Sequence, residues 1–89
     1  MLRLVQSNPT QKFDAQILLA ANMRRIRRSK SLTQERVAEY AELHVNYVSS
    51  VERGERNVTL YNIAKIARAL GVTLSELFSE PPATNATPE

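Results

Sequence analysis

Apolar residues in this chain return at helical spacing, and the longest stripe, Leu60, Ile63, Ala64, Ala67 and Leu70, is opened by Thr59 and ended by Gly71. The core is expected to centre on that helix. Four more segments carry the same period. Residues 13–29 place Leu19, Met23 and Ile26 toward one face, with Phe13, Ile17 and Leu18 upstream. Thr33 is a good N-cap for residues 34–41, whose inner stripe is Val37, Ala38 and Ala41. In residues 45–53, Val48 and Val51 point inward, while Asn46, Ser49, Ser50 and Arg53 share the opposite side. Thr73-Leu74-Ser75-Glu76 has the form of a capping box, opening a last short helix with Leu74, Leu77 and Phe78 on one side. The expected fold is all-α, a compact five-helix bundle.

With 89 residues there is room for one domain and a modest core. Residues 12–79 are expected to form it, with 1–11 a flexible N-terminal extension and 80–89 a disordered tail that has nothing to bury. No stretch approaches the roughly 20 apolar residues of a membrane span, and Met1-Leu2-Arg3-Leu4-Val5 is too brief an apolar start for a secretory signal. No membrane partner is expected, and the cytoplasm is the expected location. The chain has no cysteine, which excludes disulfides and thiolate metal sites. No metal and no cofactor are expected.

The net charge of +3 favours a polyanion without demanding one, but its placement says more. Arg24, Arg25, Arg27, Arg28 and Lys30 crowd together, and no acidic residue lies between Asp14 and Glu35. This is either a solvated helix end answering the helix dipole or a field that draws nucleic acid. The neighbouring residues decide. Residues 33–52 read as two short helices joined by Glu42-Leu43-His44, the spacing of a helix-turn-helix. Ala38 is small where the helices must approach, Leu43 is apolar inside the turn, and Val48 and Val51 lock the second helix down, leaving its other face free for a groove.

On these residues the chain resembles the helix-turn-helix family that includes the lambdoid phage repressors, over residues 23–78. Within it, residues 46–60 (NYVSSVERGERNVTL) look most like the controller proteins of restriction-modification systems. The resemblance implies a lambda-repressor-like DNA-binding domain, a homodimer on a roughly palindromic double-stranded DNA operator, a last helix at the dimer contact, and often control of the gene's own promoter. RNA polymerase is a further expected contact.

By position in that family, Gln34 is expected to hold a phosphate beside the N-terminus of the second helix. Val45, Asn46, Ser49 and Ser50 match base-reading positions: Asn46 has the groups to pair with adenine, and Val45 to touch a thymine methyl. Tyr47 lies between the inner and outer faces, where it either packs on the scaffold or offers its hydroxyl to DNA. Arg53 and Arg56 straddle Gly54, where each is an exposed cation that can reach phosphate or fork onto guanine. Asn57 is expected to cap or to bind phosphate. Arg27 and Glu52 match a buried salt bridge of phage-repressor-like domains, a structural ion pair. Two residues depart from the pattern: Glu42 stands where Gly is common in a left-handed turn, and His44 where Ser or Thr caps the recognition helix, so its imidazole serves as a weaker cap or a phosphate contact.

An enzyme is disfavoured, because one His, one Asp and no Cys do not assemble a catalytic triad or metal site. The competing expectation is an antitoxin-type regulator that also binds a protein partner, with Phe13, Ile17 and Leu18 as its amphipathic cue. The dimer interface is expected at Leu74, Leu77 and Phe78, joined by Tyr61 or Ile66, since so small a domain does not cover them all.

Overall fold

The computed structural model describes residues 14–80 of the chain, which form five helices: α1 (Ala15–Ser29), α2 (Gln34–Ala41), α3 (Val45–Glu52), α4 (Leu60–Leu70) and α5 (Leu74–Leu77). The extension expected at 1–11, the residue Phe13, and the tail beyond Glu80 lie outside the described residues.

Each start has a side-chain acceptor for an otherwise orphaned amide, so the boundaries follow from local chemistry. Asp14 Oδ1 accepts from the Ile17 amide at 3.1 Å, which begins α1 two residues later than the apolar pattern suggests. Thr33 caps α2, Thr59 caps α4, and Thr73 with Glu76 closes a full capping box on α5. His44 caps α3 through its ring: Nδ1 accepts from the Asn46 amide at 3.0 Å. That geometry requires the tautomer with an unprotonated Nδ1. α2 ends on Glu42 at φ 59°, a left-handed residue with a side chain, and the next amide, Leu43, donates to the Ala38 carbonyl at 2.9 Å. α4 ends the same way on Gly71 at φ 73°.

The core gathers Leu19, Met23 and Ile26 of α1, Val37 and Ala38 of α2, Val48 and Val51 of α3, Ile63, Ile66, Ala67 and Leu70 of α4, and Leu77 of α5. The α4 stripe therefore differs from the expected one. Ile66 joins it, whereas Ala64 and Leu60 are exposed, Leu60 by 72%. Ala64 sits about 100° round the helix from Ile63, on the shoulder of the buried face, and Leu60 opens the helix beyond the edge of the core.

Two expected dimer residues are corrected here: Leu77 and Ile66 are both fully buried within the monomer and offer nothing to a second copy. Ile66 belongs to the buried stripe of α4 with Ile63, Ala67 and Leu70, and Leu77 is drawn in by Asn22, a wholly buried amide that sequence reasoning passed over. Its Nδ2 donates to the carbonyls of Leu77 at 2.7 Å and Ser79 at 2.8 Å, and its Oδ1 accepts from Arg25 at 3.0 Å. This folds α5 back against α1 and presses Leu77 inward. A polar residue three places after Leu19 on an otherwise apolar face was the available signal.

Candidate nucleic-acid interface

α3 is held from three sides. Val48 and Val51 bury its inner face against α2 and the core. Arg24 of α1 donates through Nη1 to the Glu52 carbonyl, which answers an orphaned acceptor at the C-terminus of α3. The Glu52 carboxylate, 2% exposed, receives the Arg27 guanidinium as a fork, Nε to Oε2 at 2.6 Å and Nη2 to Oε1 at 3.0 Å. The remaining Arg27 arm donates to the Leu32 carbonyl at 2.9 Å. Hydrogen bonding to Glu52 raises the pKa of Arg27 above its ordinary value, against the opposing pull of burial.

Gln34 also turns inward, its Nε2 donating to Glu52 Oε1 at 2.9 Å. Its amide thus belongs to the Arg27–Glu52 cluster in the free protein, which commits one of the two N–H groups of Nε2. Of the five basic residues counted toward a positive field, Arg24 and Arg27 are committed to internal bonds and Arg25 reaches Asn22; Arg28 and Lys30 are exposed.

The outward side of α3 presents Asn46 and Arg53 exposed, with Val45 and Ser49 half-buried. Ser50 does not belong to it. The expectation that Ser50 shares the outer face is corrected: it is 6% exposed, its hydroxyl donates to the Tyr47 carbonyl at 2.7 Å and accepts from Arg56 Nε at 2.8 Å. The chain beyond Gly54 folds back over it, with the Glu55 amide on the Ser50 carbonyl at 3.0 Å. Tyr47 takes the scaffold option: half-buried against the core, its hydroxyl accepts from Asn62 Nδ2 of α4 at 3.2 Å. Arg56 lies over its ring, 5.3 Å from the centroid, so this arginine is aligned by stacking and by Ser50 together. Asn57 is exposed in the loop that follows.

Ile17, one residue of the antitoxin cue, is half exposed at 53% and lies over the end of α3: a Cβ built on Gly54 would stand 2.9 Å from Ile17 Cδ1. Leu18 is half-buried. Among the described residues, no group of three or more His, Asp or Glu side chains gathers as for a metal, and no helix is long and apolar enough to cross a membrane.

Two capped helices joined by a tight turn, the second braced from behind and free on its outward side, can be compared with known proteins. The helix-turn-helix family matches residues 23–77. The chain belongs to the helix-turn-helix family. Within this family it is similar to restriction-modification controllers. Control protein C.MunI of a Mycoplasma species is 44% identical over 68 residues, 75% of this chain and 92% of that protein. Control protein C.BamHI of Bacillus amyloliquefaciens is 48% identical over 62 residues, covering 68% and 76% respectively. The crystal structure of the restriction-modification controller protein C.AhdI from Aeromonas hydrophila superposes with a TM-score of 0.70 at 41% identity, covering 74% of this chain and all of that one. In helix-turn-helix terms α2 is the helix that crosses the backbone, α3 the recognition helix, and Glu42-Leu43-His44 the turn.

Proposed function

We propose that this helix-turn-helix protein is a sequence-specific transcription regulator that places α3 in the major groove of double-stranded DNA. The observation that carries it is the contrast within α3. The bonds through Arg24, Arg27, Gln34 and Glu52 brace the helix from behind, and Tyr47 and Ser50 tie it to Asn62 and Arg56, while Asn46, Arg53 and the edge of Val45 and Ser49 stay outward. A rigid support behind a polar, nearly small face suits base readout. Asn46 is assigned to adenine, Val45 to a thymine methyl, Ser49 to a base edge, and Arg53 and Arg56 to phosphate or guanine. Gln34, His44 and Asn57 are assigned to the backbone flanks. Tyr47 takes part through Arg56, which it aligns.

The protein acts as a homodimer, so two copies of α3 meet half-sites about one helical turn, or 34 Å, apart. Leu74 at 41%, Tyr61 at 74% and Leu60 at 72% exposure are assigned to that contact; Ile17 and Tyr40 are the other large apolar side chains exposed among the described residues, and Phe78 is half-buried beside the core. By similarity to the control proteins, its own promoter within a restriction-modification system is the target, its work is in the cytoplasm, and RNA polymerase is its neighbour there. Fluorescence anisotropy against the duplex upstream of its own gene, beside a scrambled duplex, tests the reading. Tight binding to the first, weakening by roughly 0.9 log units per phosphate contact per log unit of salt, is expected. Equal affinity for both duplexes, or none, overturns control of its own promoter and shifts the reading to a distant operator or to a protein partner.

A further inference from the structure

Arg53 is the exposed cation on the reading face of α3, yet two of its three guanidinium nitrogens are engaged within the protein. Nη1 donates to Ser49 Oγ at 2.6 Å, one turn back along the helix, and Nε donates to Glu55 Oε2 at 3.1 Å. Glu55 is fixed opposite Arg53 by the way α3 ends. Gly54 turns the chain at φ 74°, its amide on the Val51 carbonyl at 2.9 Å, and the Glu55 amide returns to the Ser50 carbonyl at 3.0 Å. A carboxylate is thereby set at the very end of a helix whose neighbours, Arg53 and Arg56, are the positive groups a duplex would meet. The pair contributes little to folding, because Arg53 and Glu55 are 55% and 57% exposed and solvent screens them. The hydrogen bond from Arg53, and then the charges of Arg53 and Arg56, hold the Glu55 carboxyl below its usual range.

We propose that Glu55 is a specificity residue: by occupying the Arg53 guanidinium in the free protein, it withholds that charge from DNA that offers only an arbitrary phosphate. The inference rests on the DNA-binding reading above. Binding to arbitrary sequence is almost wholly Coulombic and scales with the cations free to neutralise phosphates. An arginine already paired adds little to that attraction, and Glu55 itself is repelled by the backbone. A site that presents a guanine edge or a well-placed phosphate to Arg53 gains a directed fork in exchange for the broken pair, and so is penalised less. Specificity then comes from a cost laid on the wrong sequences as much as from contacts made with the right one.

The test is Glu55→Gln. Binding is measured by fluorescence anisotropy against two duplexes of equal length, one recovered by the wild-type protein from a random pool as its tightest ligand and one unselected. Melting curves should coincide for all variants, since both side chains are exposed. The variant should bind the unselected duplex about two- to fivefold tighter, with a salt slope steeper by up to about 0.9, while the selected duplex gains less and the ratio of affinities falls. In an Arg53→Gln background the same substitution should no longer change that ratio. An unchanged ratio in Glu55→Gln, or an equal gain with Arg53 absent, overturns the role of Glu55 while leaving DNA binding intact. Failure of the wild-type protein to enrich any duplex overturns the DNA-binding reading itself, and this inference with it.

Discussion

Gln34 and Glu52 join the two ends of the helix-turn-helix: the Gln34 amide at the start of α2 donates to Glu52 Oε1 at the end of α3 across 2.9 Å. The same oxygen receives Arg27 Nη2 at 3.0 Å, so one buried carboxylate ties α1, α2 and α3 together. Glu52→Ala should leave Arg27 buried beside an empty site, and breaking such a pair costs about 3–5 kcal/mol. For a domain of this size each kcal/mol moves Tm by about 4–8 °C, so a fall of at least about 12 °C is expected. Circular dichroism melting checks it, and an unchanged curve would show that the cluster does not hold the domain.

Asn22 carries a comparable burden at the middle of α1. Asn22→Leu keeps the volume but strips the donors from the Leu77 and Ser79 carbonyls. A buried acceptor left without a partner costs about 1–3 kcal/mol. Urea unfolding should show that loss, and hydrogen exchange should show it concentrated in α5, where faster exchange of the Leu77 and Phe78 amides is expected ahead of α2 and α3.

Glu42 holds φ at 59° with a side chain in place, while its carbonyl accepts from Lys65 Nζ at 3.4 Å. The left-handed conformation costs a non-glycine residue about 1–2 kcal/mol, offset in part by the extra freedom a glycine adds to the unfolded chain. Glu42→Gly should therefore raise stability by up to about 1 kcal/mol in urea titration. Gly54→Ala should do the opposite, since Gly54 is left-handed at φ 74° and an added Cβ would stand 2.9 Å from Ile17 Cδ1.

Much of this was legible because it is local. The threonine caps at 33, 59 and 73, the turn at Glu42-Leu43-His44 and the inner valines of α3 follow from spacing within a few residues. What escaped depends on chain that returns from elsewhere. Ser50 sits at a spacing that fits the outer face, but the loop carrying Glu55 and Arg56 folds back and covers it. Gln34 reads as a surface residue until Glu52 arrives from α3. Four residues of α5 are too few to show which of Leu74 and Leu77 turns inward, and the deciding contact comes from Asn22 in α1.

The Glu76 carboxyl supplies a pH signature. Hydrogen bonding from the Thr73 backbone amide at 2.8 Å, and then from its hydroxyl, holds the Glu76 pKa below its ordinary value. A carboxyl depressed on folding contributes stability above its unfolded pKa and loses it as pH falls through the folded pKa. Nuclear magnetic resonance titration should place the Glu76 midpoint below the ordinary glutamate range. Glu76→Gln should flatten the acid limb of the stability curve in that window, and an ordinary midpoint would mean that the capping box is open in solution.

Leu74 and Leu77 lie three residues apart on the same short helix yet have opposite surroundings, 41% exposed against fully buried. A charge at each separates assembly from folding. Leu74→Asp removes apolar surface from the proposed dimer contact without touching the core, so the variant should melt as a folded protein but show the mass of a monomer by light scattering at micromolar concentration. Its affinity for a palindromic duplex should fall, because one half-site must then be bound without the other. Leu77→Asp places a carboxylate in the packed core that includes Met23, Ile66 and Leu70, and should fail to fold at all. A Leu74→Asp protein that keeps the mass of a dimer would move the interface to Leu60 and Tyr61 at the start of α4, the most exposed of the large apolar side chains among the described residues.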